Sequence, residues 1–219
     1  MTAFSIVRFR GKPGRDQEII DGLRNVLASA PLAEGLRKRT LIKLGATLFC
    51  SVLEWDSVEA LVNARPRNRI VLDAIRDLLE DRGDVGVTYA ASGAVVCDFA
   101  QPETEARPRG LGQARAWNIL RYHLKHDTKE AAETVARAAL PPPGAAPPPG
   151  LRRIAVVQIG DRAFCVLGEW DSYDHLSAGG PAVIQRLETF RDCLETVPGG
   201  LGVIQATAGI VADERSSSG

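Results

Sequence analysis

The sequence predicts an α+β fold made of two tandem copies of one β-α-β-β-α-β unit. The first observation is an internal repeat: residues 45–57, GATLFCSVLEWDS, return as residues 160–172, GDRAFCVLGEWDS. Seven of these thirteen positions are identical at an offset of 115 residues, which indicates that a domain-sized unit was duplicated. The other two observations are the order of strand and helix patterns around each repeat and the apolar character of both faces of the hairpin strands.

The first copy opens with a strand, a helix and a hairpin. Alternating β-forming residues predict the strands, and apolar side chains at helical spacing predict the helix. The predicted bounds are a strand at 4–10, a helix at 15–30, and hairpin strands at 39–44 and 47–55. Gly45 begins the short connection within the hairpin, and Asp56 or Ser57 is expected to cap the next helix.

The rest of the first copy holds two helices and a last strand. Pro66 is expected to break the helix that follows the hairpin, because proline cannot donate the helical hydrogen bond. A further helix is predicted at 68–81 and a last strand at 85–98. This order of elements is the ferredoxin-like arrangement.

A linker and the second copy follow. Residues 100–115 hold prolines, glycines and charged residues without an apolar period, so the predicted units are 1–99 and 116–213. The proline-rich stretch 141–150 is interpreted as a surface loop, either a tolerated insertion or a site for a proline-recognising partner. The tail 214–219 is expected to be disordered because it has nothing to bury. The predicted strands of the second copy are at 116–124, 152–159, 162–170 and 201–212.

The hairpin strands also predict how the sheets are covered. Residues 47–55 and 162–170 have apolar side chains on both faces, whereas a strand with one wet face alternates apolar and polar residues. The unit's own helices cover one face, so we expect the sheet of the other copy to cover the second. Two antiparallel four-stranded sheets packed face to face across a pseudo-two-fold axis form an intramolecular dimeric α+β barrel.

Composition narrows the classes of partner. The chain has 27 basic and 27 acidic residues and a net charge of zero, so neither nucleic acid nor an anionic membrane is expected to bind it. It shows no charged leader followed by an apolar run and no apolar stretch of about 20 residues, so a cytoplasmic location is expected. The cysteines form no CxxC pair, and we expect free thiols and no metal site. They are Cys50, Cys97, Cys165 and Cys193.

The junctions between hairpin and helix carry a resemblance to a known superfamily. Residues 54–57 and 169–172, both EWDS, are similar to the Trp-x-Ser signature at this point in dimeric α+β barrel proteins of the antibiotic-biosynthesis-monooxygenase-like group. The resemblance implies cofactor-independent oxygenases of phenolic substrates, haem-degrading enzymes or isomerases. Haem degradation is disfavoured, although Asn118 matches that group's first strand, because 172–194 contains no Trp and His175 comes too early. We therefore expect no cofactor.

Three residues of the second copy's first strand are candidate catalytic residues. A cofactor-independent oxygenase needs an apolar pocket with one or two polar groups that remove a phenol proton and orient the carbanion. His123 is the candidate base, because its ordinary pKa is near 6.5. Tyr122 and Asn118 are the other two candidates. The alternatives are a solvent-exposed histidine at a strand end and a tyrosine ring that belongs to the core.

Five further residues are candidates for substrate binding. Two arginines and two glutamates recur at equivalent positions of the two copies, and a tryptophan accompanies them on the second copy's first strand. A half-buried arginine needs a partner, which is either a carboxylate of the neighbouring strand or a substrate carboxylate. The five residues are Arg8, Arg121, Glu54, Glu169 and Trp117.

These features lead to two functional hypotheses. The preferred one is a small-molecule enzyme, a cofactor-independent monooxygenase of a phenolic, quinol or polyketide-like substrate, acting in an apolar barrel pocket lined by first-strand residues of the second copy. The alternative is a non-catalytic protein that binds a small ligand or serves as a scaffold. The expected partner is a small-molecule ligand, and the expected assembly is a monomer with pseudo-two-fold symmetry or a homodimer.

Overall fold

A computed structural model describes residues 1–28, 33–81, 86–101, 115–126, 128–197 and 202–216 of the chain. The chain divides into two compact units. Unit 1 consists of Met1–Ala94 together with Val211–Gly219, and unit 2 is Val95–Ile210. Strands and helices alternate in the order β-α-β-β-α-β in both halves of the chain, which confirms the predicted α+β fold class.

The first half of the chain contains four strands and three α-helices in the described segments. The central strand β1 pairs antiparallel with β3 and β4, and β2 pairs with β3. The boundary between the two units falls within β4. The elements are β1 (Ala3–Arg10), α1 (Asp16–Ala28), β2 (Leu36–Lys43), β3 (Leu48–Trp55), α2 (Val58–Asn63), α3 (Arg65–Asp73) and β4 (Thr88–Ala100).

The helices that follow the hairpin of unit 1 begin and end at residues with clear physical roles. Ser57 is the N-cap of α2, and its hydroxyl accepts a hydrogen bond from the Ala60 backbone N–H, as predicted. Pro66 lies in the first turn of α3, where its missing N–H costs nothing. The bounds predicted for this helix, 68–81, are wrong. Helix α3 begins at Arg65 and ends at Asp73.

The second half of the chain repeats this architecture with one continuous helix after its hairpin. Strand β5 pairs antiparallel with β7, β8 and β9, and β6 pairs with β7. Helix α5 contains Pro181, which follows Pro66 by the repeat offset of 115 residues. The elements are β5 (Ala116–Leu124), α4 (Lys129–Ala138), β6 (Leu151–Gln158), β7 (Ala163–Trp170), α5 (Tyr173–Glu188), β8 (Leu194–Glu195) and β9 (Ile204–Ser216).

The end of β9 corrects the predicted disordered tail. The strand continues to Ser216, so residues 214–216 are ordered, and the prediction that 214–219 has nothing to hold it is wrong there. Within unit 1, the Glu214 carboxylate lies 3.2 Å from Lys38 Nζ. Polar contacts thus stabilise a segment that buries little apolar surface. Parts of five predicted segments lie outside the described residues: the helix end at 29–30, the strand starts at 85 and 201, linker residues 102–114 and tail residues 217–219.

Each unit has its own apolar core beneath its helices. In unit 1, Phe9 stacks on Phe49 with ring centroids 5.6 Å apart. In unit 2, Tyr122 stacks on Phe164 at 5.2 Å. Both pairs join the first strand of the unit to the second strand of its hairpin, so the duplication has kept this contact.

Within the described parts of the chain, none of the helices has both the length and the apolar character that a membrane span requires.

Candidate functional site

Unit 1 contains a cavity of about 370 Å³ on the helix side of its sheet. Residues of all four strands line it, together with residues of α1, α2 and α3. Much of the wall is apolar, as at Val7, Phe9 and Leu53. Hydroxyl groups of Ser5 and Ser51 add polarity on neighbouring strands. A space of this size can hold a small organic molecule.

The cavity lies where α3 packs loosely on the sheet. No residue of α3 is fully buried, and the half-buried Val71 and Leu72 form part of the cavity wall. In unit 2 the backbone of the continuous helix α5 lies close to its sheet at Gly179. A Cβ atom added at this glycine would lie only 2.6 Å from the ring of Trp170. The position equivalent to Gly179 in unit 1 is Ala64, the residue between α2 and α3. Only glycine permits so close an approach of a helix backbone to an indole ring.

Arg39 of β2 is the charged residue at the wall of this cavity that is most deeply buried, with 4% of its surface exposed. Its Nε atom lies 3.5 Å from Ser51 Oγ, a long hydrogen bond. Its two terminal nitrogens, Nη1 and Nη2, are buried and have no hydrogen-bond partner among the residues that the structure describes. The guanidinium group therefore has two free donors beside an apolar space.

Arg39 forms no ion pair with a carboxylate in the described segments. Burial lowers the pKa of Arg39 to about 10, Asp213 acts against this lowering, and Arg215 adds to it. A group with this pKa is still protonated at neutral pH. The carboxylate of Asp213 is bound by Arg24, at 2.7 Å from its Nε atom. A buried charge without a partner costs several kcal/mol, so Arg39 is a natural site for an anion.

More arginines surround the cavity on α3 and just after it. Arg65 and Arg69 are exposed, and both contribute to the cavity lining with Arg67 and Arg76. Asp73 is the neighbouring acid, and its carboxylate lies 2.6 Å from Arg76 Nη2 and 3.9 Å from Arg69 Nε. The cavity thus has a positively charged surround as well as a buried cation.

Unit 2 carries different residues at the equivalent positions. In unit 1, Ser5 and Arg39 lie opposite Leu53 on either side of β3. In unit 2, Asn118 and Ile154 lie opposite Gly168 on either side of β7. The buried cation is therefore replaced by a buried isoleucine, which belongs to the apolar core of unit 2.

The predicted catalytic residue Asn118 has a structural contact. Its Oδ1 atom accepts a hydrogen bond of 2.7 Å from the Trp170 indole N–H, and both residues are buried. In unit 1 the hydroxyl of Ser5 accepts the equivalent bond from Trp55 at 3.2 Å. In both units a polar residue of the first strand therefore satisfies the buried tryptophan.

The other two predicted catalytic residues point to opposite faces of β5. Tyr122 is fully buried on the helix side, where burial raises the pKa of its hydroxyl and neighbouring Cys97 and Cys165 add to the effect. His123 lies on the opposite face, since successive side chains of a strand alternate. Its Nδ1 atom lies 3.8 Å from Glu195 Oε1.

The ionisation of His123 reflects its surroundings on that face. Burial is the main cause that lowers the pKa of His123, and the cations Arg121 and Arg162 lower it further. Glu195 acts in the opposite direction. His123 Nε2 is buried without a hydrogen-bond partner in the described part of the chain.

The five predicted substrate-binding residues are divided between the two units. Trp117 and Arg121 share the face of β5 that carries His123, and Glu169 lies directly opposite Trp117. The Glu169 carboxylate forms an ion pair with Arg115 at 2.6 Å, and Arg115 was not among the predicted partners. In unit 1, Arg8 lies opposite Cys50 and Glu54 lies opposite Phe4.

The cavity therefore differs in place from the predicted pocket. A pocket lined by first-strand residues of the second copy was expected, whereas this cavity is lined by residues of unit 1. Sequence analysis missed Arg39, although one signal was present. At the repeat offset of 115 residues, Arg39 matches Ile154, so one copy places a cation where the other has a core residue.

In the described segments, no three His, Cys, Asp or Glu side chains are grouped to hold a metal ion.

Solved structures share the fold of the whole chain at low sequence identity. A candidate monooxygenase from Fusobacterium nucleatum superposes with a TM-score of 0.68 at 9% identity, covering 100% of this chain and 95% of that one. An anthrone oxidase-like protein gives 0.67 at 14% identity, with 100% and 94% covered. A candidate monooxygenase from Lactobacillus acidophilus gives 0.66 at 9% identity, with 99% and 97% covered.

These structures confirm the predicted resemblance to monooxygenase-like proteins at the level of the fold. No family model matches the sequence, and no curated protein matches it at a significant level.

Proposed function

We propose that the protein is a small-molecule enzyme, a cofactor-independent monooxygenase, and that its active site is the cavity of unit 1. The observation that carries this proposal is the cavity itself: about 370 Å³ of largely apolar space with a few polar groups at its wall. Three structures of the same fold are named as candidate monooxygenases or as anthrone oxidase-like, which supports this reaction class.

The substrate class is phenolic, quinol or polyketide-like. Such molecules are largely apolar and carry a few hydroxyl or carbonyl oxygens, which matches walls such as Val7, Phe9 and Leu53 with the nearby hydroxyls of Ser5 and Ser51. The apolar walls remove water from the electron-rich ring, and the hydroxyl groups orient its oxygens.

The reaction needs no electron carrier, because the substrate supplies the electrons. Loss of a proton converts the phenol or enol into a carbanion, which reduces O₂ and forms a peroxide at the same carbon. The peroxide takes up a proton; the remaining C–H bond of that carbon then loses its proton, its electron pair forms the new carbonyl, and the O–O bond breaks to release hydroxide, which leaves as water with that proton. The protein's contribution is to exclude solvent, hold the ring and stabilise the negative charge that develops.

Oxygen uptake with simple hydroquinones tests the proposal. Ser51→Leu places a large apolar side chain in the cavity, and we expect it to lower the rate of uptake about tenfold or more by excluding the substrate. Val166→Leu changes the equivalent position of unit 2 and is the matched control, with an expected change below twofold.

The competing site in unit 2 is tested in the same assay. His123→Ala and Tyr122→Phe are expected to retain oxygen uptake, because neither residue lines the cavity of unit 1. Loss of uptake in these variants, with Ser51→Leu unaffected, would place the reaction in unit 2 instead.

A non-catalytic ligand-binding protein is the second candidate function. One observation favours it: among the described residues that line the cavity there is no His, Asp or Glu to act as a general base. Saturable binding of phenols without oxygen uptake, across a panel of hydroquinones and naphthols, would support this alternative.

A further inference from the structure

We propose that the unit 1 cavity binds its ligand as an oxyanion on the guanidinium group of Arg39, and that its ligands are acidic phenols and enols. This inference rests on the proposed function, because it names the substrate class of the same site. It also gives Arg39 a role as the residue that selects the charge state of the bound ligand.

The first support is the state of the Arg39 side chain. It is almost completely buried, with 4% of the residue's surface exposed, and it lies at the wall of the cavity. Its Nε atom makes one long hydrogen bond of 3.5 Å to Ser51, while Nη1 and Nη2 have no acceptor in the described segments. Two adjacent free N–H donors on a planar cation are suited to an oxyanion, which charge-assisted hydrogen bonds would hold.

The second support is the charge around Arg39. Asp213 is held by Arg24, and Arg215 adds a further cation near Arg39. Exposed Arg65 adds positive charge to the lining of the same cavity, whereas Arg69 and Arg76 share the single acid Asp73. An anion that enters the cavity can therefore reach a buried cation that forms no ion pair in the described segments.

The third support is the absence of a base, which makes the cation responsible for ionising the ligand. Among the described residues of the cavity wall, none can accept a proton as His, Asp or Glu would. A nearby cation favours the charged form of an acid, so a phenol held at Arg39 ionises more readily. The O–H bond breaks, its electron pair stays on the phenolate oxygen, and the proton passes to solvent water.

Phenols and enols fit the apolar walls better than carboxylic acids do. The charge of a phenolate or enolate is spread over a ring, whereas that of a carboxylate is confined to two oxygens. Transfer into an apolar space costs more for a compact ion than for a delocalised one. The cavity offers one buried cation and largely apolar walls, which is the environment that a delocalised anion needs.

Binding of 4-nitrophenol tests this inference without requiring turnover. The colour of the probe distinguishes phenol from phenolate, so a titration gives both affinity and the pKa of the bound probe. We expect the bound probe to ionise at lower pH than the free one. Arg39→Gln should weaken binding of the phenolate about tenfold or more, because it removes a charge-assisted hydrogen bond.

Matched ligands and variants make the test specific. The neutral ether 4-nitroanisole cannot ionise, so it should bind equally to wild type and Arg39→Gln. Arg191→Gln changes an exposed arginine of unit 2 and should leave both ligands unaffected. Equal losses for phenol and ether in Arg39→Gln, or an unchanged pKa of the bound probe, would overturn the inference. Tighter, Arg39-dependent binding of 4-nitrobenzoate would overturn the choice of phenols over carboxylic acids.

Failure of the inference and failure of the proposed function give different results. Oxygen uptake that survives in Arg39→Gln at the wild-type rate would overturn the role of Arg39 and leave the monooxygenase proposal standing. Arg39-dependent binding of the phenolate without oxygen uptake would support the inference and contradict the monooxygenase proposal.

Discussion

Arg39 and Arg115 both carry a largely buried charge, but in the described segments only Arg115 forms an ion pair. Arg115 lies 2.6 Å from the Glu169 carboxylate, and both side chains are largely removed from solvent. Such a pair satisfies itself and leaves little free energy for a ligand. Arg39 has no such partner in the described segments, so its unused donors are the stronger sign of binding.

We expect Arg39→Met to stabilise the ligand-free protein. Methionine has a similar length and fills the same space without the cost of a buried charge, so the free energy of unfolding should rise by about 1 kcal/mol or more. Urea denaturation monitored by circular dichroism measures the change, with Arg191→Met as an exposed control. A fall in stability specific to Arg39→Met would mean that the guanidinium group supports the fold rather than a ligand.

His123 gives the protein a predicted dependence of stability on pH. Its folded-state pKa is lowered, chiefly by burial, so the folded protein favours the neutral imidazole. The unfolded chain therefore binds more protons, and stability falls as pH decreases through the ordinary histidine pKa of about 6.5 and on through the lower folded value. His123→Gln should reduce this fall, as measured by thermal unfolding between about pH 7.5 and pH 5. An unchanged pH profile would contradict it.

At the scale of elements, the helices that follow the two hairpins explain the space beneath α3. Helix α5 buries side chains along its length, including Leu176, Val183 and Leu187. Helix α3 buries none, because the chain restarts a helix at Arg65 above the cavity. The close packing of α5 and the space beneath α3 therefore depend on the residues near Pro181 and Pro66.

Hydrogen exchange should detect this difference between the helices. Backbone amides near the end of α3 are expected to exchange faster than those of α5 at Val183 and Leu187, because α3 lacks buried side chains to hold it. Saturating 4-nitrophenol should slow exchange in α3, since the ligand would fill the space beneath Val71 and Leu72, and should leave α5 unchanged. Slowing confined to α5 or to β5 would contradict the placement of the site.

The sequence predicted the elements better than it predicted their packing. Strand β5 has the predicted bounds, and Ser57 caps α2 as expected, because alternation and capping are local patterns. The open space beneath α3 could not be predicted, because Pro66 and Pro181 are equivalent and yet only one lies inside a continuous helix. Likewise, the end of β9 depends on distant partners such as Lys38.

At the scale of the molecule, the two copies have kept the framework and changed the polar residues. Both units retain the aromatic stack, the buried tryptophan and the polar residue that satisfies its indole N–H. The buried cation and the cavity beside it belong to unit 1, where unit 2 has Ile154. The two copies therefore differ at this position in charge as well as in packing.

The candidate site was the least predictable part of the molecule. The sequence emphasised first-strand residues of the second copy, because His123, Tyr122 and Asn118 are chemically versatile. The structure places Tyr122 and His123 on opposite faces of β5, a separation that follows from the period of two. Arg39 lies in a strand with three other basic residues, and no local pattern of the sequence distinguishes its buried side chain from theirs.

A crystal structure of the protein with 4-nitrophenol tests the central claim most directly. We expect electron density for the ring in the cavity of unit 1, with its oxygen about 3 Å from Nη1 or Nη2 of Arg39. Density beside Tyr122 or His123 in unit 2, with the unit 1 cavity free of the ring at saturating concentration, would contradict the claim.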